Sequence, residues 1–367
     1  MSFVGILGIL IVFGLIIVFH EFGHFVVAKL TGMGVHEFSI GFGPTLLQKK
    51  VRDTTYSLRM VPLGGYVRIA GMELDDSEEE RQAPNSFNKK PFLAKFATIL
   101  AGATMNMVLA LLVFVIIGMA IGYPLPGKKV FIGGTQPLSP AAKAGLQPGD
   151  LIVDVNGHQN PSIVEVQNQI RHGTPPVKMI VERDGKQIAL TIQPKKIPSA
   201  ERRGLIYHMT EYYGIGIQIE QSSGGWKRLN SVESIATGFH LVVDRIVDAF
   251  AQFVSLITGN INWKQLSGPV AIIKISYDTS QGAVISRAGL MNFFGMIGFL
   301  SVFIGFFNLL PIPALDGSRL LFLTIEAIIR RPFDRRKEAL VHFVGLILLM
   351  ALVLVITVKD IFMLAGK

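Results

Sequence analysis

Residues 20–24 read His-Glu-Phe-Gly-His and fit the pattern H-E-x-x-H. On a helix, His20 and His24 share one face with Cβ atoms about 5–6 Å apart, a spacing at which both rings can bind one Zn²⁺. Glu21 lies between them in sequence, where it can act as a base on a water at the metal. Catalytic zinc lowers the pKa of such a water towards ~7, so the chemistry on offer is hydrolysis at neutral pH. Three fixed positions in five are only moderately specific. The setting adds weight, because these three ionisable groups sit inside an otherwise uncharged apolar run from Phe3 to Ala28. Polar groups there are costly unless they serve a purpose. The competing reading is a set of satisfied polar residues inside a helix bundle.

A catalytic zinc usually takes a third protein ligand. The chain has no cysteine, so the metal must sit on His, Asp or Glu. The position three after His24 is Val27, so the glycine of a metzincin extension is absent. His36, His158, His172, His208, His240 and His342 lie in contexts that suit ordinary surface or core histidines. The better candidate is Asp316, in the run Asn308-Leu-Leu-Pro311-Ile-Pro313-Ala-Leu315-Asp316-Gly317. Two prolines must interrupt a helix there. A broken membrane helix is tolerated where it lines a polar cavity, and it can aim a carboxylate inward. A helix cap and turn at the membrane surface is the plainer alternative.

The elements that would position these groups follow from composition. Half of the 367 residues are hydrophobic and 17% are charged, too apolar a balance for an ordinary soluble domain. The net charge of +9 raises nucleic-acid binding. The basic residues cluster beside apolar segments, where membrane topology accounts for them, so no nucleic-acid partner is expected. Four stretches are long enough to cross about 30 Å of hydrocarbon: Phe3–Ala28, Phe96–Ile121, Ala288–Leu310 and Ala339–Val358. No basic region precedes the first, so it is expected to remain in the mature protein rather than be removed as a signal peptide.

Arg330, Arg331, Arg335, Arg336 and Lys337 lie between the third and fourth stretches. Lys49, Lys50, Arg52, Arg59, Arg68, Lys89 and Lys90 lie between the first and second. Both loops are therefore expected in the cytoplasm, with both termini and the 123–285 region outside.

The outer region reads as a small α/β domain over 128–195. Asn156-Gly157 and Asp184-Gly185 are hairpin signals, and 151–155, 177–182 and 188–192 are short apolar strands. Residues 161–170 open with Pro and have helical spacing. Residues 227–258 alternate apolar and charged positions at helical spacing, which predicts an amphipathic helix at the membrane surface. Residues 34–72, rich in Gly and β-branched or aromatic types, predict two adjoining hairpins. Phe38, Ile40, Phe42, Leu46 and Leu47 are too apolar for free solvent, so this sheet is expected to dip into the membrane edge. Asp75–Glu80 reads as a solvated loop tip.

His20–His24 in the first segment and Asn308–Gly317 in the third together resemble the site-2 protease family of intramembrane metalloproteases, in particular its bacterial regulator of sigma-E protease type. The resemblance spans essentially the whole chain. Residues 138–157 are similar to the circularly permuted PDZ domains of that group, residues 62–72 to its membrane-reentrant β region, and Ala101–Asn106 to its GxxxN element. It implies one Zn²⁺ per chain held by His20, His24 and Asp316, with Glu21 as catalytic acid/base. It further implies that Asn308, Pro311 and Pro313, with Gly65, Tyr66 and Val67 of the reentrant sheet, bind the substrate strand, supported by Gly102 and Asn106. Some members carry two tandem PDZ domains, whereas one such stretch is visible here.

The expected fold is therefore a polytopic α-helical membrane protein with four transmembrane helices, a membrane-reentrant β-sheet and one extracytoplasmic PDZ domain. Its expected divisions are 1–33 (first helix), 34–72 (β hairpins), 73–92 (cytoplasmic loop), 93–122 (second helix) and 128–195 (PDZ domain). The remainder divides into 196–285 (the following region), 286–330 (third helix with its break) and 338–365 (fourth helix). The resemblance implies a protease of the bacterial inner membrane whose substrates are single-pass proteins already shortened by another protease, such as anti-sigma factors or signal-peptide remnants, with a peptide ligand for the PDZ domain. Two rivals stand beside it. A non-enzymatic PDZ-bearing scaffold would lack stoichiometric zinc. A metal-ion transporter would need a second, symmetry-related site, and no internal repeat is visible.

Overall fold

The computed structural model describes residues 2–72, 76–203, 206–259, 268–331 and 333–364. Asp75 of the expected loop tip, 204–205 and 260–267 of the expected 196–285 region, and residue 365 of the expected fourth helix lie outside the described residues. The chain divides into two compact units. One comprises Met1–Ile121, Leu229–Phe250 and Trp263–Lys367; the other comprises Gly122–Arg228 and Ala251–Asn262.

The first unit opens with α1, Phe3–Leu30, whose 28 residues rise about 42 Å. The Ser2 hydroxyl caps it by accepting the Gly5 N–H at 3.2 Å. Strands β1 (Val35–Val51) and β2 (Thr54–Ile69) follow, then a short α2 (Glu78–Gln82) and α3 (Phe92–Ile116). A π-helical turn, Ile117–Ile121, extends α3. Helices α1 and α3 pack with their backbones nearly touching, since a Cβ at Gly23 would lie 2.3 Å from the Ala101 carbonyl oxygen.

Strands β1 and β2 do not form two adjoining hairpins. Residues 45–51 pair with 54–59 as one closed hairpin, while 35–40 pair on one side with 65–69 and on the other with 55–58. The resulting order is 45–51, 54–59, 37–40, 65–69. The left-handed conformations of Gly41 and Gly43 (φ +88° and +85°), followed by Pro44, turn the first strand back on itself. Arg59 then ties the segments together by donating to Glu37 at 2.9 Å, Ser39 at 3.0 Å and the Tyr66 hydroxyl at 2.8 Å. Among the described residues, 65–69 have pairing partners on one side only. At the other end Phe42, Leu46, Leu47, Met60 and Val61 are exposed, an apolar tip that suits lipid.

The second unit comprises β3 (Tyr123–Thr135), α4 (Pro140–Lys143), β4 (Leu151–Val155), β5 (His158–Gln159), α5 (Ile163–His172), β6 (Val177–Arg183) and β7 (Lys186–Ile192). It continues with β8 (Lys195–Arg203), β9 (Ile206–Gly214) and β10 (Ile217–Lys227). The main sheet runs β10-β3-β4-β6-β7, with β5 on β4; β8 and β9 form a separate pair. The expected turns fall at Asn156-Gly157 and Asp184-Gly185, all four residues having positive φ. Ser162 and Glu165 form a capping box at the start of α5. Because β3 and β10 belong to this sheet, the unit extends on both sides of 128–195 and takes in part of 196–285.

Helices α6 (Ser231–Ile257), α7 (Pro269–Ile285), α8 (Arg287–Leu309), α9 (Asp316–Ile329) and α10 (Arg335–Leu364) complete the chain. Among the described residues, four helical stretches are long and apolar enough to cross a membrane: Phe3–Leu30, Phe92–Ile121, Arg287–Leu309 and Lys337–Met363. Helix α6 is not among them; Val232, Ile235, Phe239 and Phe250 are exposed along it. The prolines stop α8, and the chain restarts as α9 at Asp316 itself. Gly317 permits that restart, because a Cβ there would lie 2.2 Å from the Leu310 carbonyl oxygen.

Candidate active site and metal centre

His20 and His24 lie one turn apart on α1, and α9 begins at Asp316 beside them. The two Nε2 atoms are 3.3 Å apart, and each is 3.1 Å from Asp316 Oδ2. Zinc bonds of 2.0–2.2 Å at tetrahedral angles require ligand atoms about 3.3 Å apart. The three atoms thus occupy three corners of a tetrahedron of the right size. Beyond its 3.1 Å contacts with the two Nε2 atoms, the buried Asp316 Oδ2 has no hydrogen-bond partner among the described residues, a cost that a metal would remove. Among the described residues this is the one group of three that could hold a metal ion. The residues fit zinc.

The surroundings hold the imidazoles in place. His24 Nδ1 donates to the Thr98 carbonyl at 2.8 Å, which leaves Nε2 as the ligating atom. Gly102 lies against both rings: a Cβ there would be 2.3 Å from His24 Nε2 and 2.7 Å from His20 Cε1. The two glycines Gly23 and Gly102 let the backbones of α1 and α3 close on the histidines.

A cavity of about 170 Å³ opens at this point, lined by His20, Glu21, His24, Val67, Ile69, Met72, Ala314, Leu315, Asp316 and Arg319. The Glu21 carboxylate meets the backbone of Val67. A Cβ at Gly65 would lie 3.6 Å from Glu21 Cγ. The one-sided strand 65–69 therefore lies directly over Glu21.

The other residues singled out in the sequence fall elsewhere. Tyr66 alternates to the opposite face of its strand and joins the Arg59 network. Asn308, Pro311 and Pro313 are not among the residues lining the cavity. Pro313 packs on α10, where a Cβ at Gly345 would come within 2.1 Å of its ring. Asn106 is fully buried with its side-chain amide unpaired, and its backbone carbonyl accepts the Ser301 hydroxyl at 2.8 Å. It thus sits between α3 and α8 rather than at the metal. Thr98 and Arg319 were not singled out from sequence. Thr98 was detectable in principle, four residues before Gly102 and so on the same face of α3.

An H-E-x-x-H helix, a carboxylate completing a tetrahedral corner and a glutamate beside them define a metal-dependent hydrolase embedded among apolar helices. Comparison with known proteins agrees. Residues 8–352 match the model of peptidase family M50. The chain is 34% identical to zinc metalloprotease RasP of Geobacillus kaustophilus over 97% of each protein. It is 34% identical to a putative zinc metalloprotease of Clostridium acetobutylicum over 98% of each. It is also 29% identical to the regulator of sigma-W protease RasP of Bacillus subtilis, over 97% of this chain and 98% of that one. The chain belongs to peptidase family M50, the site-2 protease family. It is a zinc metalloprotease and a multi-pass membrane protein that cleaves other membrane proteins within the bilayer.

Proposed function

We propose that His20, His24 and Asp316 hold the zinc and that Glu21 is the catalytic acid/base. The observation that carries this reading is the tetrahedral spacing of the three ligand atoms, with Asp316 Oδ2 otherwise unpaired. When bound, zinc supplies the Lewis acidity that activates a water and polarises the scissile carbonyl. Glu21 takes the proton of the attacking water and returns it to the leaving amine, serving first as general base and then as general acid. A substrate helix hides its carbonyls in hydrogen bonds and must unwind before attack. The open edge of residues 65–69 offers main-chain donors and acceptors to the unwound segment, which adds there as a strand and so passes over Glu21. In Glu21→Gln, zinc is retained and cleavage of a model transmembrane substrate falls by at least about 10²–10⁴-fold. Metal analysis and a cleavage assay on the same purified sample check both halves, and a near-normal rate would remove Glu21 from the mechanism.

The Gly122–Arg228 unit reads as a PDZ domain that binds a peptide, on the strength of its antiparallel sheet, helix α5 and the 138–157 stretch. The lysines and arginines of the two loops support a cytoplasmic position for them, with this unit and both termini outside the inner membrane. The orientation is best probed at exposed positions, Leu138→Cys and Arg331→Cys. A membrane-impermeant thiol reagent on intact cells is expected to label the first alone; labelling of the second alone would reverse the topology. The substrates are taken to be single-pass proteins already shortened by another protease, of the anti-sigma factor or signal-peptide remnant kind. The sigma-W regulator among the relatives supports that class.

A further inference from the structure

The loop that brings Asp316 to the histidines contains a residue in an unfavourable conformation. Ala314 has φ +76°, in the left-handed region that disfavours a residue with a Cβ. Such a conformation persists only where its surroundings over-determine it. The surroundings here are supplied by α10.

The Ala314 N–H donates to Nδ1 of His342 at 3.1 Å. Three residues along the same face of α10, Gly345 is buried against Pro313, whose Cβ would lie 2.1 Å from a Cβ placed on that glycine. Two consecutive loop residues, two and three positions before Asp316, are thus held by one face of one helix. One is fixed by a hydrogen bond and the other by an approach that only glycine permits. Most of the apolar surface of α10 is exposed, Leu346, Ile347, Leu348, Met350, Leu352 and Leu354 included. At its far end, Asp360 accepts the Ala271 N–H at 3.0 Å and so fastens α10 to α7. Two of the contacts that α10 makes thus fall on the loop before Asp316.

The chemistry of the contact is specific. For His342 Nδ1 to accept, the ring proton must sit on Nε2, and Nε2 has no hydrogen-bond partner in the structure. The Glu338 carboxylate lies 3.9 Å from Nε2, beyond hydrogen-bond distance, so the hydrogen bond to the loop runs through the δ nitrogen. A side chain with an acceptor at the δ position should therefore replace histidine, and one with an acceptor a bond further out should not.

We propose that His342 and Gly345 are positioning residues, which set Asp316 Oδ2 at its tetrahedral corner by fixing Ala314 and Pro313. Neither lines the cavity around Glu21 and the three ligand atoms. The inference rests on the reading of Asp316 as a zinc ligand. Partners that orient a ligand typically change metal affinity by about 10–100-fold when removed, and that is the effect expected here.

The test uses the full chain in detergent and measures zinc affinity by competition with a chelator, alongside cleavage. The variants are His342→Leu, His342→Asn, His342→Gln and Gly345→Ala, with Asp316→Asn as the reference. His342→Leu, His342→Gln and Gly345→Ala should each weaken zinc binding by about tenfold or more, while His342→Asn, whose Oδ1 replaces Nδ1, stays close to wild type. Equal affinities for wild type and His342→Leu, or for His342→Asn and His342→Leu, overturn the proposal. Should His342→Leu not fold, His342→Asn against His342→Gln decides in the same way. If Asp316→Asn binds zinc like wild type, the ligand reading itself fails. If Asp316→Asn loses zinc while the α10 variants keep it, only the positioning role fails.

Discussion

In the sheet unit, the core is shared among thirteen buried residues, Val130, Ile152, Val166, Met179 and Val181 among them, so no single contact decides whether it forms. In the helical unit, the approach of α3 to both histidines depends on two missing Cβ atoms, at Gly23 and Gly102, and of these Gly102 lies against the rings themselves. The contrast shows two demands on packing. A core needs volume filled at the right density and tolerates exchange between its members. A metal centre needs atoms placed to within a fraction of an ångström, and here the backbone does the placing.

The largest expected effect tests the second half of that contrast. Gly102→Ala puts a methyl group where His24 Nε2 and His20 Cε1 now lie. Zinc content of the purified protein and cleavage should both fall by about 10²-fold, and retention of zinc at wild-type affinity would mean that α1 and α3 can separate without cost. Next comes the strand over Glu21. Val67→Pro removes a main-chain donor and should slow cleavage of every substrate while leaving zinc bound. Replacing 123–227 with a short Gly/Ser linker should do the opposite. The cut ends lie side by side, since Tyr123 pairs with Lys227. Zinc binding and cleavage of a short substrate should survive, and cleavage of a substrate with a folded outer domain should rise. Loss of short-substrate cleavage in the deletion would give the sheet unit a part in catalysis or folding.

The smallest effect lies inside the sheet unit. Asp150 is buried and accepts from Arg183 Nε at 2.7 Å and from the Gln147 N–H at 2.9 Å. Burial opposes its charge, but the hydrogen bonds and the Arg183 charge outweigh that, and its pKa lies below the ordinary carboxylate range. A carboxylate with a lower pKa folded than unfolded stabilises the fold above the unfolded value and loses that contribution as pH falls through the folded one. Hydrogen-exchange protection of β4 and β6 should therefore decline below about pH 4. Asp150→Asn should lower protection by about 1–3 kcal/mol at neutral pH and lack this acid-dependent loss. An Asn variant with wild-type protection at neutral pH would show that the pair adds nothing to the core.

Much of this was legible in the residues. His20, Glu21, His24 and Asp316 could be read because polar groups stand out in apolar runs, and the four spans because length and composition suffice. Leu151–Val155 coincides with β4 because short apolar runs between turn signals are strands. What was not legible depends on contacts distant in sequence. The return of 65–69 onto 35–40 is decided by tertiary pairing and not by local pattern, and the same holds for β10 beside β3. His342 looked ordinary because its partner is a backbone N–H, which has no signature in sequence. Pro311 and Pro313 stood out because proline interrupts a helix, and α8 does stop before them, while the seat of Pro313 on α10 is a tertiary contact with no local signature.

The one-sided strand at 65–69 bears on what the enzyme is able to discriminate. Main-chain groups are the same for every residue except proline, so an edge that binds through them has little means of telling one sequence from another. Selectivity then shifts to the price of making a substrate extended. Glycine, at about 1 kcal/mol below alanine in helix preference, and proline, at about 3 kcal/mol, lower that price most. If the unwound segment adds to this edge as proposed, the measurable preference would be for weak helices, with substrates ranked by how readily they come undone.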